Sequence, residues 1–244
     1  MSLTSAETRN VELAELAALT QLKWRDFDSF VRRRGKTTWV FRGVSDKDFR
    51  LTPKVGRNPK RYNTSSEEML LAAFIAQAQT HLINRPFEVN AWDWLALAQH
   101  HGLPTRLLDW TTNPLVALLF AVMENPTKDA RIYAVEAANI VSKSEEIPFD
   151  VKEVAFFRPG QFIPRITSQS GLFSVHPDPV EAWRPTDSYL QENSFVIPHA
   201  IKPAFQKRLE QYNITAATLM ADLDGISKSL SWYYENGFDI PRYS

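Results

Sequence analysis

Residues 96–121, ALAQHHGLPTRLLDWTTNPLVALLFA, constrain the fold more than any other stretch of the chain. Two adjacent histidines, a glycine, a proline, an arginine and an aspartate stand immediately before a strongly apolar run. The segment NAWDWLALAQHHG leads into them as a helix: Asn90 is placed to cap it, Asp93 lies near the capping-box position, and Gly102 sits where a C′ residue belongs. Pro104 stops any continuation. TRLLDW (105–110) is short, apolar and bounded by turn residues, which predicts a buried strand. Asn113 then caps a second helix with Pro114 at its first position. The polar residues between these elements have two readings. They form an active-site corner, or they form a buried polar turn that fixes how a strand meets its helices.

Around this centre the patterning predicts an α+β chain. The first thirty-five residues read as helix, with Leu13, Leu16, Leu19, Leu22, Phe27 and Phe30 at or near helical spacing and Gly35 as a stop. TTWVFRG (37–43) changes to β-branched and aromatic residues between two glycines, and predicts a strand. Residues 44–64 read as loop. SSEEMLLAAFIAQAQTHL predicts a helix whose face is Leu70, Leu71, Phe74, Ile75 and Ala78. Further strands are expected at 130–136, 154–158, 171–176 and 194–201, and the last forty residues read as helix. The expected architecture is a single domain with a small, mostly antiparallel twisted sheet, whole or split, flanked by helices. Residues 1–36 form an N-terminal helical segment packed on it, and 37–244 the domain with its C-terminal helices.

Composition removes several classes of function. Lysine plus arginine and aspartate plus glutamate number 28 each, so net charge does not point to nucleic acid or to an anionic membrane. The positive stretches VRRRGK and KVGRNPKR are short and read as solvated surface. There is no cysteine, which excludes disulfides, thiol nucleophiles and thiolate–metal sites and suits a reducing cytoplasm. The N-terminus does not have the pattern of a signal peptide. The apolar run 114–123 is far shorter than the roughly 20 residues that span a bilayer.

The candidate site residues follow from chemistry and spacing. His100 and His101 lack a companion set of ligands at metal-binding spacing, so no metal is expected; a helix terminus accounts for one ring. Arg106 and Asp109 are three apart on a strand and point to opposite faces. Asp109 in so apolar a stretch needs a partner, either as an anchor for the helix that follows or as a contact to a ligand. Arg42, on the first strand between Phe41 and Gly43, is suited to bidentate contact with phosphate or carboxylate, and Gly43 would let backbone or ligand approach closely. RITSQSGLF (165–173) places Arg165, Thr167, Gln169 and Gly171 at alternate positions, a polar stripe along one strand face.

WVFRGVSD, ALAQHHGLPTRLLDWTTNPLVALLFA, RITSQSGLF and DLDGISKSL together resemble the FRG domain family, named for its Phe-Arg-Gly motif, here Phe41-Arg42-Gly43. The resemblance runs from about Trp39 to Leu230. It implies a prokaryotic or phage-borne protein and carries no settled reaction. At fold level the order of elements is also similar to that of ADP-ribosyltransferases: an Arg on the first strand, a strand with a polar corner and an apolar helix, then a late acidic residue. That similarity implies NAD or another nucleotide as ligand. Arg42 would bind phosphate or ribose, Trp110 or Phe41 would stack on nicotinamide, and Thr111 would fix an amide. Gln169 stands where the transferases carry Glu, and Gln cannot supply the negative charge that steadies an oxocarbenium-like transition state.

Three functions follow. The first is an ADP-ribosyltransferase-like domain binding NAD or a nucleotide through Arg42, Gly43, Trp110, Thr111 and Gln169, with Asp109 orienting a neighbour. The second is a non-catalytic interaction module with a protein partner in a defence or conflict system, its motifs serving as the core of the fold. The third is a metal-independent hydrolase with His100 or His101 as base, Asp109 as orienter, and Ser168, Ser170 or Thr111 as nucleophile.

Overall fold

The computed structural model describes residues 5–79, 90–141, 147–160, 170–185, 192–220 and 222–238. Among the described residues, seven helices and six strands follow in the order α1 (Ser5–Arg32), β1 (Trp39–Val44), α2 (Thr64–Ala78), α3 (Ala91–His100), β2 (Leu107–Thr111), α4 (Pro114–Val122), β3 (Ala130–Glu136), β4 (Ala155–Phe157), β5 (Gly171–Val175), β6 (Ser194–Ile197), α5 (Lys202–Glu210), α6 (Ala216–Met220) and α7 (Leu223–Glu235). The strands form one open antiparallel sheet in the order β4-β5-β2-β1-β3-β6. The expected α+β class, with helical segments at both ends, is what the chain adopts.

Two compact units make up the chain, and each has its own core. The first comprises Met1–Phe49, Asn113–Val135 and Gln191–Ser244. Its centre is α4, whose side chains Val116, Ala117, Leu118, Leu119, Ala121 and Val122 are all buried. Asn113 caps it by accepting from the Leu115 N–H at 2.9 Å, with Pro114 in the first turn. Strand β1 lies directly against this helix. A Cβ on Gly43 would fall 1.8 Å from the Ala117 carbonyl oxygen and 2.8 Å from the Ala121 nitrogen. Glycine is therefore required there by backbone-to-backbone contact between strand and helix.

Phe27, Phe30, Phe41, Phe195, Phe205 and Leu209 complete that core. Leu16 and Leu19 are packed against it, whereas Leu13 and Leu22 of the expected stripe are exposed. Lys202 enters the same unit at the first turn of α5, where its charge opposes the helix dipole. Its ammonium donates to the carbonyls of Ser45, Glu124 and Asn125 at 2.8, 2.9 and 2.9 Å, the last two just beyond the C-terminus of α4. All three donors are used. Burial pushes its pKa down to about 8, while Asp46 and Asp129 act the other way. Of the two helical stretches read at the C-terminal end, KPAFQKRLEQY and TAATLMADLDGISKSLSWYYE, the second is two helices: Asp222 caps α7 by accepting from Gly225 at 2.8 Å, and Gly225 lets α7 cross α6 closely.

The second unit comprises Arg50–Thr112 and Glu136–Leu190. Strands β4, β5 and β2 pair antiparallel, with Asp109 opposite Phe173 and Trp110 opposite Leu172. One face packs with α2 and α3 into a core of Leu71, Trp92, Leu95, Leu107, Phe157, Phe173 and Val175. Asn90 caps α3 as expected, accepting from Asp93 at 2.9 Å, while Asp93 itself turns to accept from the Gly160 N–H at 2.8 Å. Strand β6 is shorter than the expected 194–201, because Pro198 ends it and a 3-10 turn follows at His199–Ile201.

Candidate functional site

The passage from α3 to β2 is where the sequence concentrates its polar residues, and it closes on itself. Gly102 adopts φ +86°, which lets the Leu103 and Gly102 N–H groups reach back to the Ala98 and Gln99 carbonyls at 2.9 and 3.0 Å. These two bonds are a Schellman motif. His101 occupies the C-cap, exposed, with its ring 5.0 Å from that of His100 and 6.5 Å from Phe74. Lys54 donates to the Gly102 carbonyl at 2.7 Å. Thr105 then donates to Gln99 Oε1 at 2.6 Å, and Gln99 Nε2 donates to Asp109 Oδ2 at 3.2 Å. Gln99 thus ties the end of the helix to both ends of the turn.

Arg106 turns the other way, into the unit. Its side chain and that of Glu67 are each 1% exposed and lie 3.0 Å apart, Nη2 to Oε2. Arg106 Nε donates to the same oxygen at 3.1 Å, the Arg106 backbone N–H to Oε1 at 2.8 Å, and Nη2 also to the Tyr62 hydroxyl at 3.2 Å. The Phe149 ring lies 4.6 Å from the guanidinium carbon. Burial pushes the Tyr62 phenol up from its ordinary pKa. Arg106, just before β2, and Asp109, within it, thus have different partners, Glu67 and Gln99. Asp109 is exposed and is not the cap of α4, which Asn113 caps with its own side chain.

Trp110 points to the face of β2 opposite Asp109 and is 3% exposed. Its indole N–H donates to Ser174 Oγ at 2.8 Å, and that hydroxyl lies 2.8 Å from His176 Nε2. Three rings enclose the group: Trp183 is 6.0 Å from Trp110, 6.1 Å from Phe156 and 5.7 Å from His176, each near edge-on. A serine hydroxyl within reach of an imidazole is the contact a nucleophilic dyad requires. Ser174, however, is 0% exposed on an interior strand face, where a substrate carbon does not reach it. The pair is a buried hydrogen-bonded network.

Beside His176 an open cavity of about 640 Å³ is lined by Arg50, Asp178, Glu181, Trp183 and Arg184 among others. None of these residues was expected from sequence. Arg50 comes from one loop and the other four from another, without period or motif. Of the expected residues, Arg42 is half-buried on β1 and Gly43 faces α4. Thr111 is buried, and the Thr112 N–H donates to the Ser170 carbonyl at 3.2 Å. Arg165, Thr167, Ser168 and Gln169 lie outside the described residues. The structure brings Asp109 together with Gln99, and Trp110 with Ser174 and His176. Among the described residues, no group of three or more His, Asp or Glu stands ready to hold a metal ion, and no helix is long and apolar enough to cross a membrane.

The FRG domain family model matches residues 37–130. Over that stretch the chain is similar to FRG domains. The matched stretch runs from the turn before β1 to the start of β3, so it contains Phe41-Arg42-Gly43 and the whole corner between α3 and α4. No curated protein and no solved structure matches the chain. Within the FRG stretch, Gly43, Gly102, Thr105 and Arg106 each have a structural partner that accounts for their residue type.

Proposed function

We propose that this FRG-domain protein is a binding module, in which the motif residues build the scaffold and a ligand is met elsewhere on it. The observation that carries this reading is where the polar side chains of the FRG stretch are spent: Arg106 on Glu67, Thr105 on Gln99, Gln99 on Asp109, and Trp110 on Ser174. A reaction centre needs such groups aimed at a substrate. Here they are aimed at one another, and Gly43 is needed for the seating of β1 on α4.

A second reading keeps an ADP-ribosyltransferase-like NAD site using Arg42, Gly43, Asp109, Trp110, Thr111 and Gln169. The half-buried guanidinium of Arg42 and the exposed carboxylate of Asp109 favour it. Incubation of the purified chain with NAD, following nicotinamide release and protein-attached ADP-ribose, separates the two. The binding-module reading expects neither product above a no-protein control. Turnover that disappears in a folded Arg42→Ala variant would overturn it in favour of the transferase.

A further inference from the structure

We propose that the cavity beside His176 binds a small aromatic ligand carrying a single phosphate group, of the size of a nucleoside monophosphate. At about 640 Å³ the cavity lies within the range of small-molecule sites. Its inner wall is fixed before any ligand arrives. His176 is 1% exposed, tied through Nε2 to Ser174 and through its backbone N–H to the Arg106 carbonyl at 3.2 Å. Trp183 is held by three neighbouring rings and by its backbone N–H, which donates to the Leu51 carbonyl at 3.0 Å. The loop that carries the cavity is seated on Gly56, where a Cβ would fall 1.7 Å from the Pro179 carbonyl oxygen. An immobilised indole at the edge of a cavity is a stacking surface whose ordering cost is already met.

The rim supplies the charge. Arg50 and Arg184 are both exposed and both line the cavity, and guanidinium groups match the oxygens of phosphate. Asp178 and Glu181 line it too, and Asp178 is also engaged in its own turn, accepting from the Val180 N–H at 3.0 Å. Two cations against two carboxylates leave no excess positive field for a triphosphate. They suit a ligand with one phosphate near the arginines and neutral hydrogen-bond donors, such as sugar hydroxyls, near the carboxylates.

Calorimetric titration of the full chain tests this with adenosine monophosphate, adenosine, inorganic phosphate and adenosine triphosphate as probes. Saturable binding of the monophosphate is expected. Adenosine or phosphate alone should bind at least about tenfold more weakly, and the triphosphate no more tightly. The variant Arg50→Ala/Arg184→Ala changes only exposed side chains, so it should keep the wild-type melting midpoint and lose about tenfold or more in affinity. No saturable binding up to about 10 mM, unchanged affinity in the folded double variant, or phosphate binding as tightly as the monophosphate would each overturn the proposal. The proposal deepens the binding-module reading and rests on it, yet the two fail separately. NAD turnover lost in Arg42→Ala would remove that reading whatever the titration shows. Failure of the monophosphate to bind removes the pocket and leaves the account of the motif standing.

Discussion

The α3–β2 corner and the cavity beside His176 belong to the same unit and use opposite strategies with polar residues. In the corner, Arg106 and Glu67 are buried and satisfy each other, and buried Thr105 donates to Gln99, within a stretch of sequence dense in recognisable motif. In the cavity, Arg50, Arg184, Asp178 and Glu181 reach solvent over a floor of aromatic rings, and no motif marks them. A buried charge whose every hydrogen bond is internal has a structural task, because its desolvation is compensated only inside the fold. A charge held at the lip of a preformed cavity can still meet a partner. The difference teaches that motif density in this chain reports how tightly the backbone is determined.

That contrast is broken most forcefully at Arg106. Arg106→Met leaves Glu67 buried without its cation, and denaturant unfolding should record a loss of about 3–5 kcal/mol. Gly43→Ala comes next: its methyl group must displace the α4 backbone, for a loss of about 1–3 kcal/mol or more by the same measurement. The alkaline limb of stability sharpens the comparison further. With its phenol pushed up by burial, Tyr62 keeps its proton in the native state at pH values where the unfolded chain, with an ordinary pKa of about 10, has released it. The native state then binds more protons, so stability falls as pH rises past about 10. Tyr62→Phe should flatten that fall in a pH series of melting midpoints. Arg184→Ala, on the cavity rim, should change stability by no more than about 0.5 kcal/mol.

Much of the scaffold was legible because its signals are local. Asn90, Gly102, Asn113 and Pro114 act within four residues of where they stand, and each behaves as its position predicts. Glu67 was not legible: an acidic residue in the first turn of α2 reads as complementing the helix dipole, while its partner Arg106 lies 39 residues away. Asp109 was expected to need a partner, and Gln99 meets it, yet it stands exposed although Leu107 and Thr111 on the same face of β2 are buried. Leu13 and Leu22 fit a helical stripe and still lie exposed: Leu13 precedes the first packed residue, Leu16, and at Leu22 the packed face runs instead through Leu19, Trp24 and Phe27. The cavity was invisible for a topological reason. Its residues come from segments around 50, 154 and 176–184 that only the fold assembles.

A double-mutant cycle at Arg106 and Glu67, read by urea denaturation, tests the scaffold role of the motif most directly. Arg106→Met and Glu67→Leu should each destabilise strongly, while the double variant, with both charges gone, should regain much of the loss and give a coupling energy of about 2 kcal/mol or more. A folded Arg106→Met as stable as wild type, with no coupling to Glu67, would contradict the account.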